Sequence, residues 1–174
     1  HDYWCEEWLR TGVPDPNWLF NGGKTTIESY RLKTADEKQF HLRFFESMKY
    51  FVIDDENRLF IHAGFTSPAG PEQEKERYVF YWDRSLWETA LSIQDNDNDF
   101  ALNPGRLKLF REIYIGHTPT LFFSQEVPMR ACNVWNIDTG AAFNGRLSIM
   151  DVDSKQFWQS DKLLQLYPNE RGRN

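Results

Sequence analysis

Apolar residues recur along this chain in two rhythms. Over the first fifty positions they fall three and four apart. Tyr3, Trp4, Trp8 and Leu9 share one face and predict a helix over Asp2 to Thr11, stopped by Gly12. Val13 to Phe20 carries Pro14 and Pro16 and reads as a loop. Asn21-Gly22-Gly23-Lys24-Thr25-Thr26 reads as a turn and a helix start, with the helix running to about Leu32. It is not a phosphate-cradling loop, because Trp18 stands where the first glycine of that motif is needed. Thr34 to Met48 is the strongest helix. Thr34 can cap it, Glu37 completes a capping box, and Phe40, Phe44 and Phe45 form one stripe. His41 reads as a partly buried helix residue.

From Lys49 onward the apolar runs become short and strand-like. Lys49 to Asp54 predicts a strand, Asp55-Glu56-Asn57 a tight turn, and Arg58 to Ile61 the return strand of a hairpin. Leu59, Phe60 and Ile61 show no polar alternation, which fits a strand buried on both faces. His62 then stands where that strand leaves the sheet, two residues before Gly64. The design recurs at Ile113 to Pro119, with His117 at the exit. Strand ends are where open sheets with helical cover place ligand-binding groups, since the strand aims the side chain and the loop leaves room. Two such histidines, 55 positions apart, reach one metal ion only through the fold. A single histidine beside a glycine fits a structural role equally well.

Between these strands, Thr66 to Arg77 is a polar loop whose charge run Glu72 to Arg77 reads as solvated. Tyr78 to Trp82 is aromatic and apolar, and Arg84 stands at the mouth of a helix running to about Gln94. Asp95 to Asp99 imitates half a calcium loop. Phe100 at its sixth position and Arg106 at its twelfth replace the required glycine and glutamate, which leaves a surface loop. Pro104 to Phe110 predicts a short helix, Arg130 to Ile137 and Arg146 to Asp151 two strands, and Gln156 to Ser160 an edge strand before a frayed tail from Asn169.

Composition narrows the picture. At 174 residues, 40% hydrophobic and 16% aromatic, the chain can bury one good core, so residues 1–174 are read as one domain or part of one. A net charge of -6 argues against a nucleic-acid footprint, which needs clustered basic residues. Cys5 and Cys132 have no metal-ligand spacing and make no disulfide framework, so reduced thiols in a cytoplasmic protein are expected. No apolar stretch approaches the roughly 20 residues of a membrane span, and no signal peptide opens the chain. His1 enters a helical pattern with no preceding Met, so the chain reads as cut at its front end.

Three motifs now carry a resemblance. His1-Asp2, His62-Ala63-Gly64 and Gly116-His117-Thr118-Pro119 stand in the order of the later motifs of the calcineurin-like metallophosphoesterases, and Asn136 to Ala141 with Gly145-Arg146-Leu147 is similar to that family's closing segment. The bacterial branch of the phosphoprotein phosphatases is the most similar, and Asn21-Gly22-Gly23 through Ser29-Tyr30 also looks like a feature of that branch. The family's first two motifs, Gly-Asp-x-His-Gly and Gly-Asp-x-x-Asp-Arg-Gly, are absent, as is the Gly-Asn expected before His1.

The resemblance implies a four-layer αββα fold, an α/β metallophosphoesterase-like β-sandwich flanked by helices, of which this chain holds the C-terminal portion. It implies a two-metal hydrolase in which metal-activated hydroxide attacks phosphorus in line. The substrate is a phosphomonoester, most simply on a serine/threonine phosphoprotein, and alternatively a dinucleoside polyphosphate or other small phosphorylated metabolite. By the same resemblance His62 and His117 are ligands of one of two divalent ions, manganese first, with iron or zinc open. His1 protonates the leaving oxygen, Arg84 grips the substrate phosphate, and Asp2 and Asp138 are carboxylates standing behind the site. Arg84 also reads as an exposed helix-start arginine paired with Asp83 or Glu88. The missing front segment, or a partner chain, would complete the fold. The 174 residues alone should be nearly inactive and bind metal poorly. A metal-free binding module is the non-enzymatic alternative, and neither nucleic acid nor membrane is an expected partner.

Overall fold

A computed structural model of the chain describes residues 1–95 and 105–169. It divides into two compact units, His1–Lys49 and Tyr50–Asn174. The first is helical. Asp2–Thr11 forms the expected helix, closed by Gly12 in a left-handed conformation. The expected loop before Phe20 instead contains a helical turn, Pro16–Trp18. The Asp15 side chain accepts from the Asn17 and Trp18 N–H groups and Pro16 occupies the first helical position, a start signal that outweighs the prolines' loop signal. Gly22 takes φ 102 at the following kink, and Gly23 lies under the buried Trp18 ring, where an added Cβ would come within 2.5 Å. The glycine pair therefore serves a backbone kink and an aromatic contact. The next helix, Lys24–Ser29, ends short of the expected Leu32, which is exposed.

Ala35–Ser47 is the long helix of this unit, with the complete Thr34/Glu37 capping box. Its buried position is Leu42, whereas Phe40 and Phe44 are 63% and 59% exposed, so the aromatic stripe is one-sided but open. His41 is half-buried with Nδ1 2.7 Å from the Tyr30 hydroxyl, and Tyr30 meets Trp8 edge-on at 5.4 Å.

The second unit is mixed α/β. β1 (Phe51–Ile53) and β2 (Arg58–Ile61) form the expected hairpin, Phe51 opposite Ile61. The Asp54 carboxylate sets its turn, accepting from the N–H groups of Glu56 at 3.0 Å and Arg58 at 2.9 Å and from Arg58 Nε at 2.6 Å, and Asn57 is left-handed. β3 (Glu112–Ile115) lies parallel beside β2, and β5 (Val134–Asn136) parallel beside β3. β4 (Met129–Ala131) closes the far edge antiparallel to β5, giving a five-stranded sheet in the order β1-β2-β3-β5-β4. The single strand expected over Arg130 to Ile137 is thus a hairpin. Cys132 turns it at φ 52, and the buried Asn133 amide donates to the carbonyls of Leu107 and Phe110 at 2.8 and 2.9 Å.

One sheet face is the core: Leu59, Ile61, Ile113, Ile115, Ala131 and Val134 pack with Leu86, Trp87, Ala90 and Ile93 of the helix Ser85–Asp95. On the other face the paired row Val52, Phe60, Tyr114, Trp135 meets a charged segment, with Lys155 Nζ 5.3 Å from the Tyr114 ring centre. β6 (Ser148–Met150) and β7 (Phe157–Gln159) pair separately as a two-stranded sheet, so the predicted last strand finds β6 and not the main sheet.

Tyr78 to Trp82 contains a short helix, Val79–Trp82. The predicted Pro104 to Phe110 helix shrinks to the 3-10 turn Leu107–Leu109. The Glu72 to Arg77 run is not simply solvated, because the Glu74 carboxylate accepts from the N–H groups of Thr66 at 2.6 Å and Ser67 at 3.0 Å and so ties the loop to its own start. The run from Asn96 to Phe100 that imitated a calcium loop lies outside the described residues, as does most of the predicted frayed tail. Among the described residues no helix is long and apolar enough to cross a membrane. Cys5 is a buried free thiol and Cys132 a half-buried one.

Candidate functional site

The three parallel strands β2, β3 and β5 all leave the sheet at the same edge, and each exit supplies a polar residue: His62, His117 and Asp138. Carboxyl ends of parallel strands are the binding edge of such sheets. Here those residues line one cleft of about 270 Å³, with Gly116, Thr139, Arg146 and Ser148 among its other walls.

The first two exits are tied together by backbone, Gly116 N–H donating to the His62 carbonyl at 2.8 Å. Thr118 N–H then donates to the Gly116 carbonyl at 2.7 Å, closing a three-residue turn with His117 at its centre and φ 65. A non-glycine residue in such a turn is strained, and strain of this kind gathers at ligand sites. The fold holds it in place through Asn136 at the end of β5. Its fully buried amide donates to the Thr118 carbonyl at 2.8 Å and accepts from Asp138 N–H at 3.1 Å. Asp138 in turn accepts from Gly140 N–H at 2.9 Å through Oδ1. The glycines behave differently from one another. A Cβ on Gly116 would meet only ordinary contacts, whereas one on Gly64 would collide with the Asp83 carboxylate and lie 3.0 Å from Leu86 Cβ.

His62 is exposed and His117 half-buried, their ring centres 5.2 Å apart. Nε2 of His117 is buried with no hydrogen-bond partner among the described residues. Burial first, then the neighbouring His62 and Arg84 charges, lowers the His117 pKa to about 4. The ring is therefore neutral at pH 7, the form that binds metal. A metal–nitrogen bond of about 2.0–2.1 Å puts an imidazole centre about 3 Å from the ion, so two rings on one ion stand about 5 Å apart. The observed separation and the orphaned nitrogen both fit a divalent ion held by His62 and His117.

Arg84 is exposed and makes no ion pair among the described residues. The Asp83 carboxylate, offered as its partner, is committed to capping Ser85–Asp95: it accepts from Ser85 N–H at 3.1 Å, Ser85 Oγ at 2.6 Å and Leu86 N–H at 3.0 Å. Trp82 meets the His117 ring edge-on at 5.6 Å, so the Trp82 to Arg84 segment flanks the cleft. Arg106 braces that segment from behind, donating to the Phe65 carbonyl at 2.6 Å and to the hydroxyls of Ser85 at 3.2 Å and Thr89 at 3.1 Å.

No protein-family model matches the chain, and no curated protein aligns with it significantly. His1 and Asp2 belong to the first unit, where His1 precedes the helix Asp2–Thr11 and packs edge-on against Trp4 at 5.6 Å. In the second unit sequence reasoning had not selected Trp82, Arg106, Asn136 or Arg146. The Asn136 to Ala141 and Gly145-Arg146-Leu147 strings had marked Asn136 and Arg146 as motif positions without a role, whereas Trp82 and Arg106 act through contacts that no periodicity encodes.

Proposed function

We propose that this chain is the C-terminal part of a calcineurin-like, two-metal phosphoesterase of the bacterial phosphoprotein phosphatase branch, hydrolysing phosphomonoesters. The observation that carries the reading is the pair His62 and His117 on adjacent parallel strand exits, rings 5.2 Å apart over a common cleft, with Nε2 of His117 buried and unpartnered. In this reading the five-stranded sheet and the β6–β7 pair are part of a four-layer αββα sandwich, and the remaining ligands come from the two upstream Gly-Asp motifs.

His62 and His117 would hold one of two divalent ions, most simply manganese. Such ions, when bound, polarise the phosphoryl oxygens and acidify water near neutral pH. The protein's own residues do the rest. Asn136 fixes the backbone of the turn that carries His117. The Asp138 carboxylate lines the cleft wall, where it would attract a cation. Arg84 offers a planar two-pronged donor that matches two phosphate oxygens. By the resemblance alone, His1 of the first unit would be the proton donor to the leaving oxygen, the carboxylate that holds it belonging to an upstream motif and Asp2 being a structural residue beside it.

The test is hydrolysis of p-nitrophenyl phosphate with added manganese by this 174-residue chain and by a form extended with the two upstream motifs. The extended form should turn over and the short one should not. Within the extended form His117→Ala should abolish turnover, and Arg84→Ala should lower kcat/KM while leaving the melting temperature unchanged. Equal turnover by the short and extended forms would overturn the assignment of motifs.

A further inference from the structure

We infer that the β6–β7 hairpin is a strap that opens and closes as a unit of its own behind the main sheet, and that Lys155, received by Glu112, is the latch that keeps it shut. Neither depends on what the cleft binds.

The hairpin joins the second unit with little apolar burial. The core cluster of that unit draws no residue from β6 or β7 among the described residues. The cross-strand pair Ile149 and Trp158 is 65% and 57% exposed, and no strand of the five-stranded sheet pairs with either partner strand. A segment attached in this way sits at the low end of local stability, because few apolar contacts are lost when it leaves. Two strands alone are marginal in water, so a detached hairpin melts, and opening and melting are one event.

The near end of the strap is pinned. Arg146 N–H donates to the Thr139 carbonyl at 3.1 Å, and Thr139 Oγ1 donates to the Arg146 carbonyl at 2.6 Å and lies 2.6 Å from Ser148 Oγ. Gly145 just before it admits no side chain, because a Cβ would fall on the Thr139 carbonyl oxygen. Leu147 and Ser148, the first residues beyond the pin, line the cleft, so the strap forms part of its wall.

The far end is held by charge. The loop between the two strands is organised within itself: the Asp151 carboxylate accepts from the N–H groups of Asp153 at 2.9 Å and Ser154 at 2.8 Å, and Lys155 follows at φ 61. Its receptor on the sheet is organised as well, since Glu112 accepts from the Tyr114 hydroxyl at 3.0 Å and from Trp135 Nε1 at 3.3 Å. Lys155 Nζ donates to the same carboxylate at 2.6 Å and to the Tyr114 hydroxyl at 2.5 Å, and it lies 5.3 and 5.7 Å from the Tyr114 and Trp135 ring centres. The second ionic contact, Asp153 to Arg58, is weaker because its carboxylate is 76% exposed. Opening the far end therefore breaks one charge-assisted cluster and no strand ladder to the main sheet.

The experiment is hydrogen exchange of the 174-residue chain at pH 7, followed amide by amide by NMR with no metal or ligand added. In the wild type the amides that close the hairpin, Asp151 and Ser160, should be at least about tenfold less protected than those of β3 and β5. Lys155→Met should speed hairpin exchange about tenfold or more and leave β3 and β5 within about twofold, because a hydrogen bond to a charged group is worth at least about the 1.4 kcal/mol that makes a factor of ten. Lys155→Arg, which keeps the charge, should stay within about threefold of wild type. Equal protection of hairpin and sheet in the wild type overturns the separate strap, as does a K155M chain that exchanges faster everywhere or loses its circular dichroism spectrum. Hairpin exchange unchanged in K155M, or K155R as open as K155M, overturns the latch.

Discussion

Asn136→Ala is the substitution most able to show that the cleft is held from inside the sheet. The amide is fully buried and makes two bonds, to the Thr118 carbonyl at 2.8 Å and from Asp138 N–H at 3.1 Å. Removing it leaves two backbone groups without partners next to a strained turn. Each orphaned group costs about 1–3 kcal/mol, so the expected loss for the two is about 2–6 kcal/mol. Urea denaturation followed by tryptophan fluorescence reads it directly, with an unchanged m-value showing that the unfolded state is not responsible. Asn136→Asp adds a second test. At pH 7 a carboxylate oxygen would face the Thr118 carbonyl, so this variant should be at least as unstable as the alanine form. Its buried acid has a raised pKa, so stability should return as pH falls and the protonated group regains a donor. A loss below about 0.5 kcal/mol for N136A, typical of a surface position, would refute the argument.

Further outcomes follow from other parts of the second unit. Gly145→Ala should cost about 1–3 kcal/mol, since the added methyl meets backbone oxygens that cannot yield separately; a melting temperature equal to wild type would count against the pinned loop. Burial opposes ionisation of Glu112, but bonds from Lys155 Nζ at 2.6 Å and the Tyr114 hydroxyl at 3.0 Å outweigh it and lower its pKa. Its contribution should therefore be complete above the unfolded value of about 4.3 and fade as pH falls through the lower folded value. Glu112→Gln should flatten the acid limb of the stability curve, and an unaltered limb would remove Glu112 from the account.

What was legible in the sequence was local or strongly apolar. The Thr34/Glu37 box could be read because both partners lie within one turn, and β2 because Leu59 to Ile61 leaves no polar alternation. The same logic found the exits at His62 and His117. The break between β4 and β5 was hidden because Cys132, at φ 52, carries no glycine to announce a left-handed turn. The Phe40 and Phe44 stripe showed which residues share a face but not whether anything covers it. Glu74 and Arg106 looked like surface charges, because their bonds to loop backbone join residues that only the folded chain brings together.

The turn at His117 sets two selective demands against each other. Its φ of 65 suits glycine or asparagine better than histidine, so a search for thermostability alone would tend to erase the ring. Stabilising substitutions are usually harmless to function, but at this position the favoured residue and the useful one differ. Any library screened for folding alone would drift away from the imidazole here, while one screened for metal or phosphate binding would keep it and accept a softer fold.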